Sequence, residues 1–187
     1  FIAMLLWNQA PFLSMQLLWI NLVTDSLPAI ALGMEAIDPN VMDRQPKPKK
    51  EGIFANGLGI QVVLQGVMFA ILSLIGFRVG SQVTGAIEGG RTMAFLVLAF
   101  AQILHAYNMR SHKSLFKTGL FTNKYLNLAS LVSTALMCLV LFVPPIASVF
   151  GLIRLPMKLY MLGFGLAVVP VVVLEIVKAF GLVKHHK

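Results

Sequence analysis

The sequence predicts an all-α membrane protein, a polytopic bundle of five transmembrane helices preceded by the stub of a sixth. Three observations predict it. The 187 residues are 58% hydrophobic and 12% charged, about half the charge of an ordinary soluble domain, and mean hydropathy is +0.83. Five apolar runs come close to the roughly 20 residues that cross a bilayer core. The connections between those runs alternate between strongly and weakly basic, the pattern of a multi-pass chain. With one cysteine, Cys138, inside an apolar run, neither a disulfide framework nor a thiolate metal site is open to it. The net charge of +8 would suit nucleic acid, but basic and aromatic residues are not interleaved, so no nucleic-acid partner is expected.

Taken in order, Phe1 to Trp7 is an apolar stub too short to span, closed by the turn-like Asn8-Gln9-Ala10-Pro11. It reads as the end of a helix that starts upstream. The spans are then Phe12 to Met34, Leu58 to Phe77, Thr92 to Asn108, Leu126 to Val143 and Leu159 to Val177. No basic leader with a cleavage site opens the chain, so no signal peptide is expected. Arg44, Lys47, Lys49 and Lys50 follow the first span, Arg110, Lys113, Lys117 and Lys124 the third, and Lys178, Lys184 and Lys187 the fifth. The opposite side carries only Arg78, Arg91, Arg154 and Lys158. The positive-inside rule places the eleven in the cytoplasm, so the first span runs inward and the C-terminus is cytoplasmic.

The first span holds the chemistry. Between Phe12 and Met34 the sole charge is Asp25. A carboxylate at that depth is expensive, and such groups usually face a protein interior and handle ions or protons. Asn21, Thr24 and Asp25 stand at i, i+3 and i+4, which in an α-helix aims their oxygens to one side. Pro28 lacks an N–H, so the carbonyl four residues back, on Thr24, loses its helical partner. Two neutral oxygens, a bare carbonyl and a carboxylate suit a hard cation. Asn21, Thr24 and Asp25 are therefore candidate metal ligands, with Pro28 breaking the helix beside them. A polar packing cluster between helices is the plainer alternative.

Other polar residues read less specifically. Gln102, inside the third span, is either a further ligand or helix–helix glue. His105 and Asn108, near the inner end of that span, read as interfacial polar residues. Glu175 lies three residues before Lys178, near the cytoplasmic end of the fifth span, and a surface ion pair or snorkelling accounts for it. Pro46-Lys47-Pro48-Lys49-Lys50 is an extended basic loop, either an anchor on anionic lipid or a docking surface for a cytoplasmic domain. The expected organisation is a helix end at 1–7, the ion-site helix at 12–34, a cytoplasmic basic loop at 35–57 and a four-helix support domain at 58–187.

Gln16-Leu17-Leu18-Trp19-Ile20-Asn21-Leu22-Val23-Thr24-Asp25-Ser26-Leu27-Pro28-Ala29 resembles the sixth transmembrane helix of type II P-type ATPases, most closely calcium pumps of the sarcoplasmic-reticulum type and their bacterial relatives. Met42-Asp43-Arg44-Gln45-Pro46 looks like the opening of those pumps' loop between helices six and seven. Val169-Pro170-Val171 and Leu174-Glu175-Ile176-Val177-Lys178 are similar to their tenth helix. The resemblance runs nearly end to end and makes the spans helices six to ten, with 1–7 the end of helix five. It implies calcium ligation by Asn21, Thr24 and Asp25, and puts Gln102 where the two-calcium pumps carry a glutamate. That departure suggests one calcium per cycle.

The same resemblance implies an enzyme as the parent, a calcium-exporting ATPase that uses ATP and Mg2+. Its phosphorylated aspartate, nucleotide pocket and helix-four and helix-five ligands would lie upstream, so this chain would hold no catalytic or cofactor-binding residue. Partners would be the bilayer, the upstream helices and the cytoplasmic phosphorylation domain, in a bacterial plasma membrane. Two alternatives stay open: a pump for Na+/K+, H+ or Mn2+, because ligand type separates hard cations poorly, and a carrier or channel that hydrolyses no ATP. The absence of an internal repeat of the Asp-and-Pro segment counts against the carrier.

Overall fold

The computed structural model describes residues 2–35, 42, 52, 58–110, 115, 119 and 122–179. Most of the 35–57 loop, including Asp43 to Pro46, and the lysines at 113, 117, 184 and 187 lie outside the described residues.

The described residues are helical, without strands. A short α1 (Ile2–Trp7) precedes the first span, which is built from α2 (Ser14–Trp19), a π-helical segment (Ile20–Ser26) and α3 (Leu27–Gly33). Then come α4 (Leu58–Thr84), α5 (Ile87–Met109), α6 (Lys124–Phe142), α7 (Pro144–Val149) and α8 (Met157–Ala179). Five of these units, Ser14–Gly33, Leu58–Thr84, Ile87–Met109, Lys124–Phe142 and Met157–Lys178, are long and apolar enough to cross a membrane. The chain is an integral membrane unit.

α5 is the central helix. Met93, Ala94, Phe95, Leu96, Val97, Ala99 and Ala101 are all fully buried, so the helix is covered on every side, as a helix apolar all round must be. α4, α6, α8 and the π-helical segment pack around it. The outer faces of α4 and α8 display Ile60, Val63, Leu64, Met161 and Val172, the surface expected against lipid. Pro170 lies inside α8 without ending it.

The sequence ends α4 too early and starts α5 too late. α4 runs on to Thr84 and α5 starts at Ile87, so the two form a tight hairpin turning at Gly85, whose φ is +71°. Glycines let the backbones approach, which is how membrane helices associate when no hydrophobic drive separates helix from lipid. A Cβ on Gly80 would lie 2.5 Å from the Gly89 carbonyl oxygen, whereas one on Gly66 would meet nothing within 4 Å. The two positions should therefore respond oppositely to alanine. Gly80→Ala overpacks and should cost about 1–3 kcal/mol, while Gly66→Ala should be neutral or stabilising, since alanine is the better helix former. Thermal unfolding of the full-length protein in detergent measures both, and equal midpoints for the two variants would remove the close approach as the organising feature.

α7 is also new. Pro144 and Pro145 open it, at the first-turn positions where a missing N–H costs nothing.

Candidate functional site

The first span is helical throughout, but Pro28 widens it rather than breaking it. From Ile20 to Ser26 the chain follows the i→i+5 pattern of a π-helix, and Pro28 then sits in the first turn of α3. In that register the carbonyl answering to Pro28 is that of Val23, not of Thr24. Ser133 on α6 donates its hydroxyl to the Val23 carbonyl at 2.8 Å, fully buried.

The wider turn also changes which oxygens share a face. More residues per revolution bring i and i+4 nearly over each other and leave i+3 behind. Asn21 and Asp25 accordingly stand together on an exposed face, with Leu18, Leu22 and Ile30. Thr24 turns inward and is 2% exposed. The single three-oxygen face expected of an α-helix is thus split in two. Asp25 lies within about 3 Å of the middle of Ser14–Gly33 at 1.5 Å per residue. A charge at the centre of a spanning helix costs roughly 3 kcal/mol on insertion scales, so this face requires a polar or protein cover.

Thr24 meets Gln102. Its hydroxyl oxygen is 2.7 Å from the Ile20 carbonyl and 2.8 Å from Gln102 Oε1. One hydroxyl has one proton, so it donates to Ile20 and the Gln102 amide, turned to present its nitrogen, donates to Thr24. The structure thus brings Gln102 to the expected site, but on the buried side, behind the helix from Asn21 and Asp25. Among the described residues no three His, Cys, Asp or Glu side chains converge.

The span is fastened at both ends as well. At one end the buried Gln16 donates to the Phe150 carbonyl at 2.8 Å and accepts from the Leu13 N–H at 3.0 Å. Nearby, Arg91 donates to the Ala10 carbonyl at 3.0 Å and the Ile153 N–H to Thr92 at 3.0 Å. At the other end Arg110, the C-cap of α5, grips Glu35 with two hydrogen bonds of 3.0 and 2.8 Å. Asn123 donates to the same carboxylate and to the Ala31 carbonyl, and its Oδ1 caps α6 by accepting from the Leu126 N–H. The Arg110 guanidinium beside Glu35 holds that carboxyl below its usual range, with the Asn123 bond adding to the effect against desolvation. Sequence reasoning passed over this cluster, because Glu35, Arg110 and Asn123 are far apart in sequence and belong to no motif.

Two polar readings change. Glu175 and Lys178 do pair, at 3.8 Å, but with side chains only 15% and 7% exposed, and Glu175 also accepts the Leu115 N–H. The pair is an internal tie rather than a surface one. Asn108 is buried, its side-chain amide without a hydrogen-bond partner among the described residues, while its backbone carbonyl accepts from Lys178 at 2.9 Å. His105 is packed edge-on against Phe69 at 5.1 Å.

Residues 9–180 match the family model described as "Cation transporting ATPase, C-terminus". The chain belongs to that family. It is 36% identical over 195 residues to calcium-transporting ATPase 1 of Bacillus cereus, covering 95% of this chain and 22% of that protein. It is 38% identical to the calcium-transporting ATPase of Bacillus subtilis over 90% of this chain and 19% of the relative. Identity is also 38% to calcium-transporting ATPase 1 of Lactococcus lactis, over 94% and 20%. The chain therefore spans about a fifth of the length of these relatives. The family match covers the α2–α3 span that carries Asn21, Thr24 and Asp25, as well as Gln102 on α5.

Proposed function

We propose that this chain is the C-terminal membrane domain of an ATP-driven pump that exports Ca2+ from the cytoplasm, and that it supplies one wall of the ion site. The observation that carries the reading is the exposed mid-membrane face of Asn21 and Asp25 on a span held along its opposite side. Ser133, Gln102, Gln16, Arg110 and Asn123 fasten that span without using either exposed oxygen group. Asn21 and Asp25 ligate calcium directly, and Thr24 completes or buttresses the site from behind. Calcium takes 6–8 oxygens, so the remaining ligands come from further helices of the pump, which also cover the open face. The calcium-transporting names of the relatives favour this cargo over Na+/K+, H+ or Mn2+ and favour a pump over a carrier or channel. ATP, Mg2+ and the phosphorylated carboxylate belong to the parent enzyme outside this chain, in a bacterial plasma membrane.

Full-length protein in inverted membrane vesicles should accumulate calcium on addition of ATP. One calcium should be bound per phosphorylation site, because a neutral Gln102 stands where a second site would need a carboxylate. Gln102→Ala should lower calcium affinity far less than Asn21→Ala or Asp25→Ala. ATP-driven uptake of a different cation would overturn the calcium assignment, and two cooperatively bound calcium ions would overturn the single site.

The orientation follows from charge. By sequence, eleven of the fifteen basic residues fall in the connections and tail that share an end with Arg110, Lys124 and Lys178, and four, Arg78, Arg91, Arg154 and Lys158, fall at the other, so the richer end faces the cytoplasm. A cysteine placed at Lys113 should react with an impermeant reagent only from the cytoplasmic side, and one at Glu88 only from outside. Reaction of both from one side would reject the orientation.

A further inference from the structure

α4 is longer than the hydrocarbon core it crosses. Its uncharged run from Leu58 to Phe77 covers about 30 Å at 1.5 Å per residue, the thickness of a hydrocarbon core. Arg78 is the next residue, so it stands at headgroup depth on the less basic side. There the guanidinium lies over the Trp7 ring, 5.7 Å from its centroid, and Trp7 in turn stacks on Phe77 at 6.0 Å. A tryptophan at this level is the aromatic belt residue of a membrane interface, and the stack holds the guanidinium plane in place. Arg78 is exposed and makes no ion pair among the described residues.

Beside it opens a cavity of about 190 Å³ lined by Gln9, Arg78, Ser81, Gln82 and the turn at Gly85 to Ile87. No acid lines it. Gln9 and Gln82 bring two amides, each with two N–H donors. Ser81 also lines it, with its hydroxyl buried against Gly90 in the α4–α5 contact. A fixed guanidinium fork flanked by neutral donors is the arrangement that takes a phosphate group bidentately. At this depth in a bilayer the abundant phosphate is the phosphodiester of a lipid.

We propose that this pocket is a phospholipid site, in which Arg78, oriented by Trp7, binds the headgroup phosphodiester of a lipid in the leaflet opposite the basic loops. Gln9 and Gln82 hydrogen-bond the phosphate or the headgroup hydroxyls. The acyl chains run down the apolar outer face of α4 past Ile75 and Ile71, both exposed. Such a lipid ties the α4–α5 hairpin to the end of α1, two elements otherwise joined here through Trp7.

The test is lipid binding to the purified, delipidated full-length protein. Phosphatidylglycerol is titrated in and the first bound lipid counted by native mass spectrometry. Arg78→Gln should weaken that first binding about fivefold, the scale of one basic side chain at a membrane surface. Arg78→Lys should fall in between, since it keeps the charge and the fold but loses the fork. Arg154→Gln, on the same side but away from the pocket, should leave binding unchanged. First-lipid affinity of Arg78→Lys equal to wild type, or an equal loss in Arg154→Gln, would overturn the proposal. So would displacement of the lipid by millimolar inorganic phosphate, which would make the site one for the free anion.

Discussion

Asp25→Asn should abolish calcium-dependent phosphorylation of the full-length protein while leaving its fold intact. The amide matches the carboxylate in shape and stands on an exposed face of the first span, so the packing behind it, at Thr24 and Val23, is untouched. What is lost is the negative charge. A calcium ion leaving water sheds a large hydration energy, and neutral oxygens alone replace it poorly. Removing one charged partner from a desolvated pair costs about 3 kcal/mol or more, so calcium affinity should fall at least roughly a hundredfold. Asn21→Ala, which removes a neutral oxygen, should weaken binding by less. Phosphorylation assayed against free calcium, with circular dichroism to check helix content, reads both effects. A variant with wild-type calcium dependence would show that Asp25 is not a ligand and that its exposed face serves packing alone.

The fold was legible where physics acts on composition over long stretches. Five apolar runs predict five spanning helices because a bilayer imposes one length on each, and the structure has them. Their ends were less legible. The apolar run of α4 stops at Phe77, but the helix continues seven residues further, because Gly80, Gly89 and Gly90 let it pack on α5 outside the hydrocarbon. The candidate site was legible as residue types, since an isolated Asp in an apolar span and a nearby Pro are visible without coordinates. Its geometry was not. An α-helical wheel puts Thr24 with Asn21 and Asp25, and only the π-helical turn separates them. Nothing in the spacing signals that turn. Pro28 and the partner hydroxyl at Ser133 compensate it together, and Ser133 lies 110 residues away. The Glu35, Arg110 and Asn123 cluster was illegible for the same reason, as it exists only once three spans meet.

That cluster sets the second large effect. Arg110→Met should destabilise the full-length protein by about 2–3 kcal/mol, somewhat below the loss for a fully buried pair. The Arg110 side chain is 1% exposed but that of Glu35 is 29% exposed, so water takes over part of the carboxylate's solvation. The variant also loses the Arg110 bonds to the Gly119 carbonyl and the Thr122 hydroxyl. A double-mutant cycle with Glu35→Gln isolates the shared part and should return a coupling of about 1–3 kcal/mol. The pH dependence has a definite sign. Glu35 has its pKa lowered in the folded state, chiefly by the Arg110 hydrogen bond. Its contribution is therefore complete above the unfolded carboxylate pKa, near 4.3, and fades as pH falls through the lower folded value. Wild type should lose stability over that acid window, and Arg110→Met should lose less of it. The consequence reaches the proposed ion site, because Arg110 caps the helix that carries Gln102 and Glu35 ends the span that carries Asp25. Releasing that end lets the π-helical segment shift against α5, so calcium affinity should also fall, by less than in Asp25→Asn, although neither Arg110 nor Glu35 touches the ion. Thermal midpoints of Arg110→Met equal to those of wild type at pH 7 and throughout the acid window below about pH 4.3, together with unchanged calcium affinity, would show that the clamp holds nothing in register.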